Sequence, residues 1–280
     1  IIMVVQHNLQ AANTNRMLGQ NVKAVSKSTE KLSSGYAVNR AADDAAGLSI
    51  SEKMRNQIRG INQAVKNSED GVSLIQTAEG NMNEIHSILQ RMGELATKAA
   101  NDVNATEDRD AIADEMTQLR DEIDSISSKA AFNGTKLLTG DFKSKFLQVG
   151  ANAGENMEIT IKTMNTTTLK LTSADVSVSS HALAATAMSK ISAAIKTVSA
   201  ARSELGAKQN RLNYTINNLE NYSENLTSAE SQIRDTDMAT EMTNYTKNNI
   251  LQQAAQSMLA QANQSTQGVQ IGRASCRERV

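Results

Sequence analysis

The sequence predicts a mainly α fold, an elongated antiparallel helical bundle or coiled coil with a small β-hairpin-rich region at its tip. The N- and C-terminal helices are expected to pair as an inner domain. Three observations predict this. Aliphatic residues recur at every seventh position from Ile191 to Ile233. The 280 residues include no proline, the commonest helix breaker, and only 2% are aromatic. A core built from aliphatics and alanine suits thin helix-on-helix seams better than a compact globule. Residues 132–180 then depart from the pattern toward Gly, Thr and Ser.

Taken in order, Leu9, Leu18, Val22, Val25 and Leu32 give a weak helical stripe that ends at "SSGY". A longer 3–4 series follows: Met54, Ile58, Ile61, Val65, Val72, Ile75, Met82 and Leu89, interrupted at Ser68, Glu79 and His86. The polar stretch 101–110 suits a turn and a helix start, with Thr106 as the capping residue. Ile112, Met116, Leu119, Ile123 and Ile126 form a third apolar series, followed by Ala130. "FNGTKLLTGDF" carries an Asn-Gly turn signal, and "FLQVGANAGENMEITIKT" alternates around glycines in hairpin style. This region is expected to form a β-rich knob at the far end of the bundle.

The strongest helical signal comes next. Ile191, Val198, Leu205, Leu212, Leu219, Leu226 and Ile233 are seven consecutive heptad hits, with Ile195 and Ile216 in alternate positions. At ~1.5 Å per residue such a helix is roughly 60 Å long, and its stripe needs partners. Met238, Met242, Tyr245, Leu251, Ala255, Met258 and Ala262 form the last stripe. Both terminal stripes are short and rich in amides, so they are expected to be disordered in a free monomer and to fold against other copies. The predicted divisions are residues 3–42 and 236–269 for the inner domain, 43–131 and 181–235 for the outer helices, and 132–180 for the tip.

Composition excludes several function classes. The 29 Lys+Arg balance 30 Asp+Glu, without the basic footprint of a nucleic-acid binder. No apolar run approaches the ~20 residues of a membrane span, so no membrane insertion is expected. "IIMVVQHNLQ" lacks the basic and apolar regions of a secretory signal peptide. Cys276 is the single cysteine, so there is no disulfide framework. His7, His86 and His181 are isolated from one another and from cysteine, and His-Glu-x-x-His is absent. Neither a phosphate-binding loop nor a nucleophile elbow is found, so no cofactor, metal or catalytic residue is assigned.

One stretch invites a site reading. "NRAADDAAGLSI", residues 39–50, sets Asp43 and Asp44 among small residues beside Asn39, Arg40 and Gly47. Calcium needs more oxygen ligands than this stretch supplies. Adjacent carboxylates on a helix point about 100° apart and converge poorly on one group. The expectation is structural: Asp43 or Asp44 caps the following helix, and the alanines and glycine permit close backbone approach by another chain.

These residues also carry a resemblance. "LSSGYAVNRAADDAAGLSISEKMRNQIRG", "NGTKLL", "LQVGANAG", "GAKQNRLNYTINNLENYSENLTSAESQIRDTDMATEM" and "ILQQAAQSMLAQANQ" are similar, in order, to blocks of the bacterial flagellins. The resemblance runs from Met3 to about Val269 and identifies a near-minimal form without large variable outer domains. It implies a secreted, non-enzymatic subunit that polymerises into the extracellular flagellar filament. The joint around Asn39, Arg40, Asp43, Asp44 and Gly47 would act as an assembly spoke. Implied partners are further copies of the chain, an export chaperone and the type III export apparatus, and the filament cap and junction proteins. "LQRMGELA" (89–96) also resembles the segment that many flagellins present to the host Toll-like receptor for flagellin. That likeness implies roles for Leu89, Gln90, Arg91, Glu94, Leu95 and, on the next helix, Glu115; Met92 and Gly93 depart from the common pattern. Two alternatives are a hook–filament junction protein of the same superfamily and a cytoplasmic coiled-coil scaffold. A peptidase housed in the variable region, known in some flagellins, lacks its histidines here, since residues 134–180 contain none.

The tail "QIGRASCRERV" (270–280) brings three arginines and the cysteine after a stretch of Ala, Gln, Asn and Thr. It back-translates readily to a common sequencing-adapter read, so it is expected to be non-native and without order. Ile1 and Ile2 likewise precede the expected start at Met3.

Overall fold

A computed structural model describes residues 8–277, with side chains as far as residue 264. Five helices and four short strands follow in order: α1 (Leu9–Ser34), α2 (Ala45–Ala99), α3 (Thr106–Lys129), β1 (Ala131–Phe132), β2 (Thr135–Lys136), β3 (Lys145–Gln148), β4 (Asn156–Ile159), α4 (His181–Arg234) and α5 (Met238–Arg277). The chain separates into two compact units, one of residues 1–55 and 226–280, the other of residues 56–225. Divisions expected near residues 42 and 235 therefore fall instead inside α2 and α4. The cause is local: the first turns of α2 and the last turns of α4 bond to the joint between them, as described below.

In the terminal unit α1 packs along α5. The half-buried positions of α1 follow a 3–4 alternation through Ala11, Thr14, Leu18, Asn21, Val25 and Leu32, with Ser28 fully buried. Those of α5 run through Glu241, Tyr245, Asn248, Gln252, Ala255, Leu259 and Ala262. Asn8 Nδ2 donates to the Ala262 carbonyl at 3.1 Å, tying the start of one helix to the far part of the other. The terminal helices are thus formed and paired, where the sequence predicted disorder. Each supplies the partner stripe that neither has alone. Two predicted stripes also need correction. Leu9 and Val22 on α1, and Met238, Met242, Leu251 and Met258 on α5, are exposed. α5 is described as far as Arg277, while the side chains beyond residue 264 and all of residues 278–280, where most of the expectation for the tail falls, lie outside the described residues.

The second unit has a continuous apolar core drawn from α2, α3, α4 and the segment between α3 and α4. Along α2 the buried series runs Ile61, Ala64, Ser68, Gly71, Ile75, Ala78, Met82, Ile85, Leu89, Met92, Ala96 and Ala99, an unbroken 3–4 alternation. Heptad residues Ile191, Val198, Leu205, Leu212 and Leu219 of α4 are buried, with alanines 184, 187, 194 and 201 between them. On α3, Ile112, Met116 and Ile123 are buried, while Leu119 and Ile126 pack partly buried against them. Thr106 is not the cap of α3. Ala105 holds that place, and its N–H donates to Asp108 Oδ2 at 3.2 Å.

β1 and β2 form a hairpin closed by Asn133 and Gly134, both with positive φ. The Asn-Gly pair is suited to that turn because both central residues of a type I′ turn need φ > 0. β3 and β4 form a second antiparallel pair, with Leu147 opposite Met157. This region is not a knob at the end of the bundle. Asn67 Nδ2 donates to the Gln148 carbonyl at 3.2 Å, Lys162 pairs with Glu204 at 3.0 Å, and Leu147 and Leu212 both close over Gly71. Buried Leu137, Leu138, Ile161, Met164 and Leu171 anchor the segment along the helices, so their apolar area decides its position.

Candidate functional site

Asp43 and Asp44 divide two tasks. Asp44 is the cap of α2: its Oδ1 accepts the N–H groups of Ala46 at 3.0 Å and Gly47 at 2.9 Å. Asp43 instead closes the preceding turn, accepting the Arg40 N–H at 3.2 Å, and pairs with Lys27 of α1 at 2.7 Å. The Lys27 hydrogen bond, followed by that of the Arg40 amide, holds the Asp43 carboxyl below its ordinary range. The same bond raises Lys27. Arg40 reaches Glu30 at 2.9 Å, and Asn39 Nδ2 donates to Ser34 Oγ at 2.8 Å. Gly47 is buried. A Cβ there would lie 2.4 Å from Asp44 Oδ2 and 3.5 Å from Ile233, so a side chain would push the capping carboxylate from its present position. The five predicted joint residues therefore gather at one place, between α1 and α2.

A second group completes the joint and was not legible in the sequence. Gly35, left-handed at φ 75°, ends α1. Its carbonyl accepts the Thr236 N–H at 2.9 Å, and the Ala37 N–H donates to the Arg234 carbonyl at 2.7 Å. The Tyr36 ring lies between Arg234, 4.7 Å from its centroid, and Arg55 at 5.9 Å. Arg234 pairs with Glu52 at 2.7 Å, and Arg55 with Glu230 at 3.0 Å. Nothing in the spacing of these residues announces the network, since its partners stand far apart in the chain. Asp237 then caps α5, accepting from the Ala239 and Thr240 amides and the Thr240 hydroxyl. Those bonds, the Thr240 amide first, hold its carboxyl low.

The outward sides of α1 and α5 carry the chemistry of association. Leu9, Met17 and Val22 on α1, and Met238, Met242, Ile250, Leu251 and Met258 on α5, are all exposed. Isolated exposed aliphatics need no explanation, but eight on two paired helices are an unusual concentration.

The residues implied in receptor recognition separate. Arg91, Glu94 and Glu115 form one exposed ion cluster: Arg91 meets Glu115 at 2.9 Å and Glu94 at 3.1 Å. Gln90 is exposed beside His86. Leu89 and Leu95 are buried in the core and cannot belong to a recognition surface on the folded unit. Both occupy positions on the inward side of α2, and their resemblance to contact residues is overridden by packing. His86 is half-buried on α2, and His181 bonds the Ala100 carbonyl at 2.6 Å.

Family models match two stretches of the chain. The bacterial flagellin N-terminal helical region matches residues 5–143, and the bacterial flagellin C-terminal helical region matches residues 188–270. The chain belongs to the bacterial flagellin family. Flagellin from Halalkalibacterium halodurans is 52% identical over 267 residues, covering 95% of this chain and 98% of that one. Flagellin from Bacillus subtilis is 47% identical over 301 residues, with the same two coverages of 95% and 98%. Among solved structures, a Vibrio parahaemolyticus protein described as flagellar hook-associated gives a TM-score of 0.59 at 15% identity, over 69% of this chain and 100% of that chain. That likeness concerns the fold alone. This flagellin is a structural subunit of the flagellar filament, in a short form; the segment between the two matched regions, residues 144–187, holds β3, β4 and the start of α4.

Proposed function

We propose that this flagellin assembles through the outward apolar side chains of α1 and α5, so that paired terminal helices from successive copies form the inner tube of the filament. The observation that carries the reading is the exposure of Met238, Met242, Ile250, Leu251 and Met258 on a helix whose inward stripe is largely amides and alanine. Burying a large aliphatic side chain stabilises association by about 1.5–3 kcal/mol, so a few per copy suffice for a cooperative polymer. The joint lies at contacts between stacked copies, where exposed Ala41, Ala42, Ala45 and Ala46 let a neighbouring backbone come close. The chain acts by self-association and not by catalysis. It travels by the type III export apparatus with an export chaperone, meets the cap and junction proteins at the filament ends, and works outside the cell. The Arg91–Glu94–Glu115 cluster is the part of its surface that the host Toll-like receptor for flagellin engages.

The test is polymerisation of purified chain at high concentration. Met242→Glu with Leu251→Glu should abolish sedimenting filaments in negative-stain images, while circular dichroism of the monomer stays unchanged. Removing residues 3–34 should have the same effect. Filaments at parental yield from the charged variant would overturn the assignment.

A further inference from the structure

The cleft between α3 and the serine-rich stretch before α4 is unused by the assembly reading. It is lined on one side by Arg109, Ala113, Met116, Thr117 and Arg120, which recur at 3–4 spacing and so share a face of α3. Ser173, Ser177 and Ser179 line the other side with Val176 and Val178, and Asp110 completes the rim. Its volume is about 140 Å³, well above the ~10–15 Å³ that one water needs. The two guanidiniums are held at this wall and are not extended into solvent: the Arg109 side chain is 13% exposed and that of Arg120 is 20%.

The bonding of Arg109 is incomplete. Its Nη2 donates to the Asn101 carbonyl at 3.3 Å and to Asp102 at 3.1 Å, which fixes the head group. Its Nε is buried and has no partner among the described residues. A buried charged donor without an acceptor is costly and calls for an explanation. Arg120 has only its exposed neighbour Asp121, at 3.2 Å, an ion pair of the weak surface kind. Beyond Asp102 and Asp121, the carboxylate on this rim is the exposed Asp110. Of the hydroxyls, Thr117 donates to the Ala113 carbonyl at 2.9 Å, and Ser177 and Ser179 lie 3.3 Å apart in one hydrogen bond, which leaves one of that pair free to donate, with Ser173, into the cleft.

We propose that this cleft binds a tetrahedral oxyanion, a phosphate or sulfate group, between Arg109 and Arg120 with the serine hydroxyls as further donors. The residue types suit that ligand. Guanidinium supplies several N–H donors in a fixed fork, tetrahedral oxyanions accept from several directions, and hydroxyls rotate to follow them. A carbohydrate without charge would add no counter-charge to the exposed pairs that Arg109 and Arg120 make with Asp102 and Asp121. The oxyanion has two possible sources, the free inorganic ion or a sulfate or phosphate ester on a polymer outside the cell.

The experiment is a two-dimensional NMR titration of the full-length monomer with inorganic phosphate, and separately with a soluble sulfated oligosaccharide, against sodium chloride of equal ionic strength. Saturable shifts confined to residues 109–120 and 173–179 are expected. Response to phosphate alone assigns the free ion, and a tighter response to the oligosaccharide assigns the polymer. Arg120→Gln should weaken binding about tenfold, as loss of one charge-assisted hydrogen bond requires. Arg109→Lys, which keeps the charge and removes the planar fork, should weaken it by a similar factor. Shifts that match the chloride control overturn the proposal, and so does Arg120→Gln binding as tightly as the parent.

Discussion

The Arg234 guanidinium stacks on Tyr36, 4.7 Å from the ring centroid, and so joins the end of α4 to the turn that leaves α1. The contact sits beside two backbone hydrogen bonds, Ala37 N–H to the Arg234 carbonyl and Thr236 N–H to the Gly35 carbonyl. An aromatic ring facing a partly desolvated guanidinium contributes about 0.5–2 kcal/mol.

Replacing the ring therefore loosens this joint selectively. Tyr36→Leu should raise hydrogen exchange at the Ala37 and Thr236 amides several-fold, because local opening governs protection there. Tyr36→Phe keeps the π face and should leave exchange nearly unchanged. Equal exchange in the parent and Tyr36→Leu would show that the stacking is incidental.

Acid should open the same unit at the turn before α2 and at the cap of α5. Asp43 and Asp237 are both held below the ordinary carboxyl range, the first chiefly by Lys27 and the second chiefly by the Thr240 amide. A depressed carboxyl contributes stability that is present above its unfolded value, near pH 4, and is lost as pH falls through the lower folded value. Protection factors at Ala239 and Thr240 should be flat near neutrality and fall below about pH 4. Asp237→Asn keeps an acceptor for the cap and should remove that fall. Lys27 carries the opposite sign: its raised value makes the pair with Asp43 stable below the ordinary lysine range and weaker as pH rises through the folded value.

Two glycines of α2 should respond oppositely to alanine. A Cβ at Gly80 meets nothing within 4 Å, so Gly80→Ala gains helix propensity and should stabilise by about 0.5–1 kcal/mol. At Gly71 the same atom lies 2.5 Å from Leu147 Cδ2 and 3.3 Å from Leu212 Cδ1. The Leu147 side chain must move within a packed core, and overpacking of this kind costs about 1–3 kcal/mol, more than the propensity returns. Urea midpoints decide it: Gly80→Ala should move upward and Gly71→Ala downward.

The contrast shows which parts of the fold were legible in the sequence. Heptads report burial well where a helix has one apolar side, and Ile191, Val198, Leu205, Leu212 and Leu219 are all inside. They mislead where a helix has two. On α5, Tyr245 and Ala262 turn inward while Met242 and Met258 turn outward, and periodicity alone does not say which neighbour each side awaits. Asp44 was readable as a cap because capping is local, within three residues. Tyr36, Glu52 and Arg234 were not, because their meeting depends on two helix ends far apart in the chain. Leu147 reaching Gly71 was hidden for the same reason: no spacing links a strand to the helix that it covers.

Locality also decides how the recognition segment should behave under mutation. Leu89 and Leu95 lie in the sequence stretch that resembles a receptor-contacting segment, yet both are buried among α2, α3 and α4 core residues. Truncating Leu89 leaves a cavity, and Leu89→Ala should cost about 2–5 kcal/mol of stability. Any loss of receptor affinity in that variant then follows the unfolded fraction and disappears at lower temperature. Arg91 behaves otherwise. Its pairs with Glu94 and Glu115 are surface ion pairs worth about 0–1 kcal/mol, so Arg91→Ala should melt within a few degrees of the parent. Its effect should appear in the receptor titration, where an interface arginine is a frequent anchor. Binding and melting measured on the same two variants separate the cases. Unchanged affinity for Arg91→Ala, or weakened affinity for Leu89→Ala under fully folded conditions, would move the recognition surface away from the Arg91 cluster.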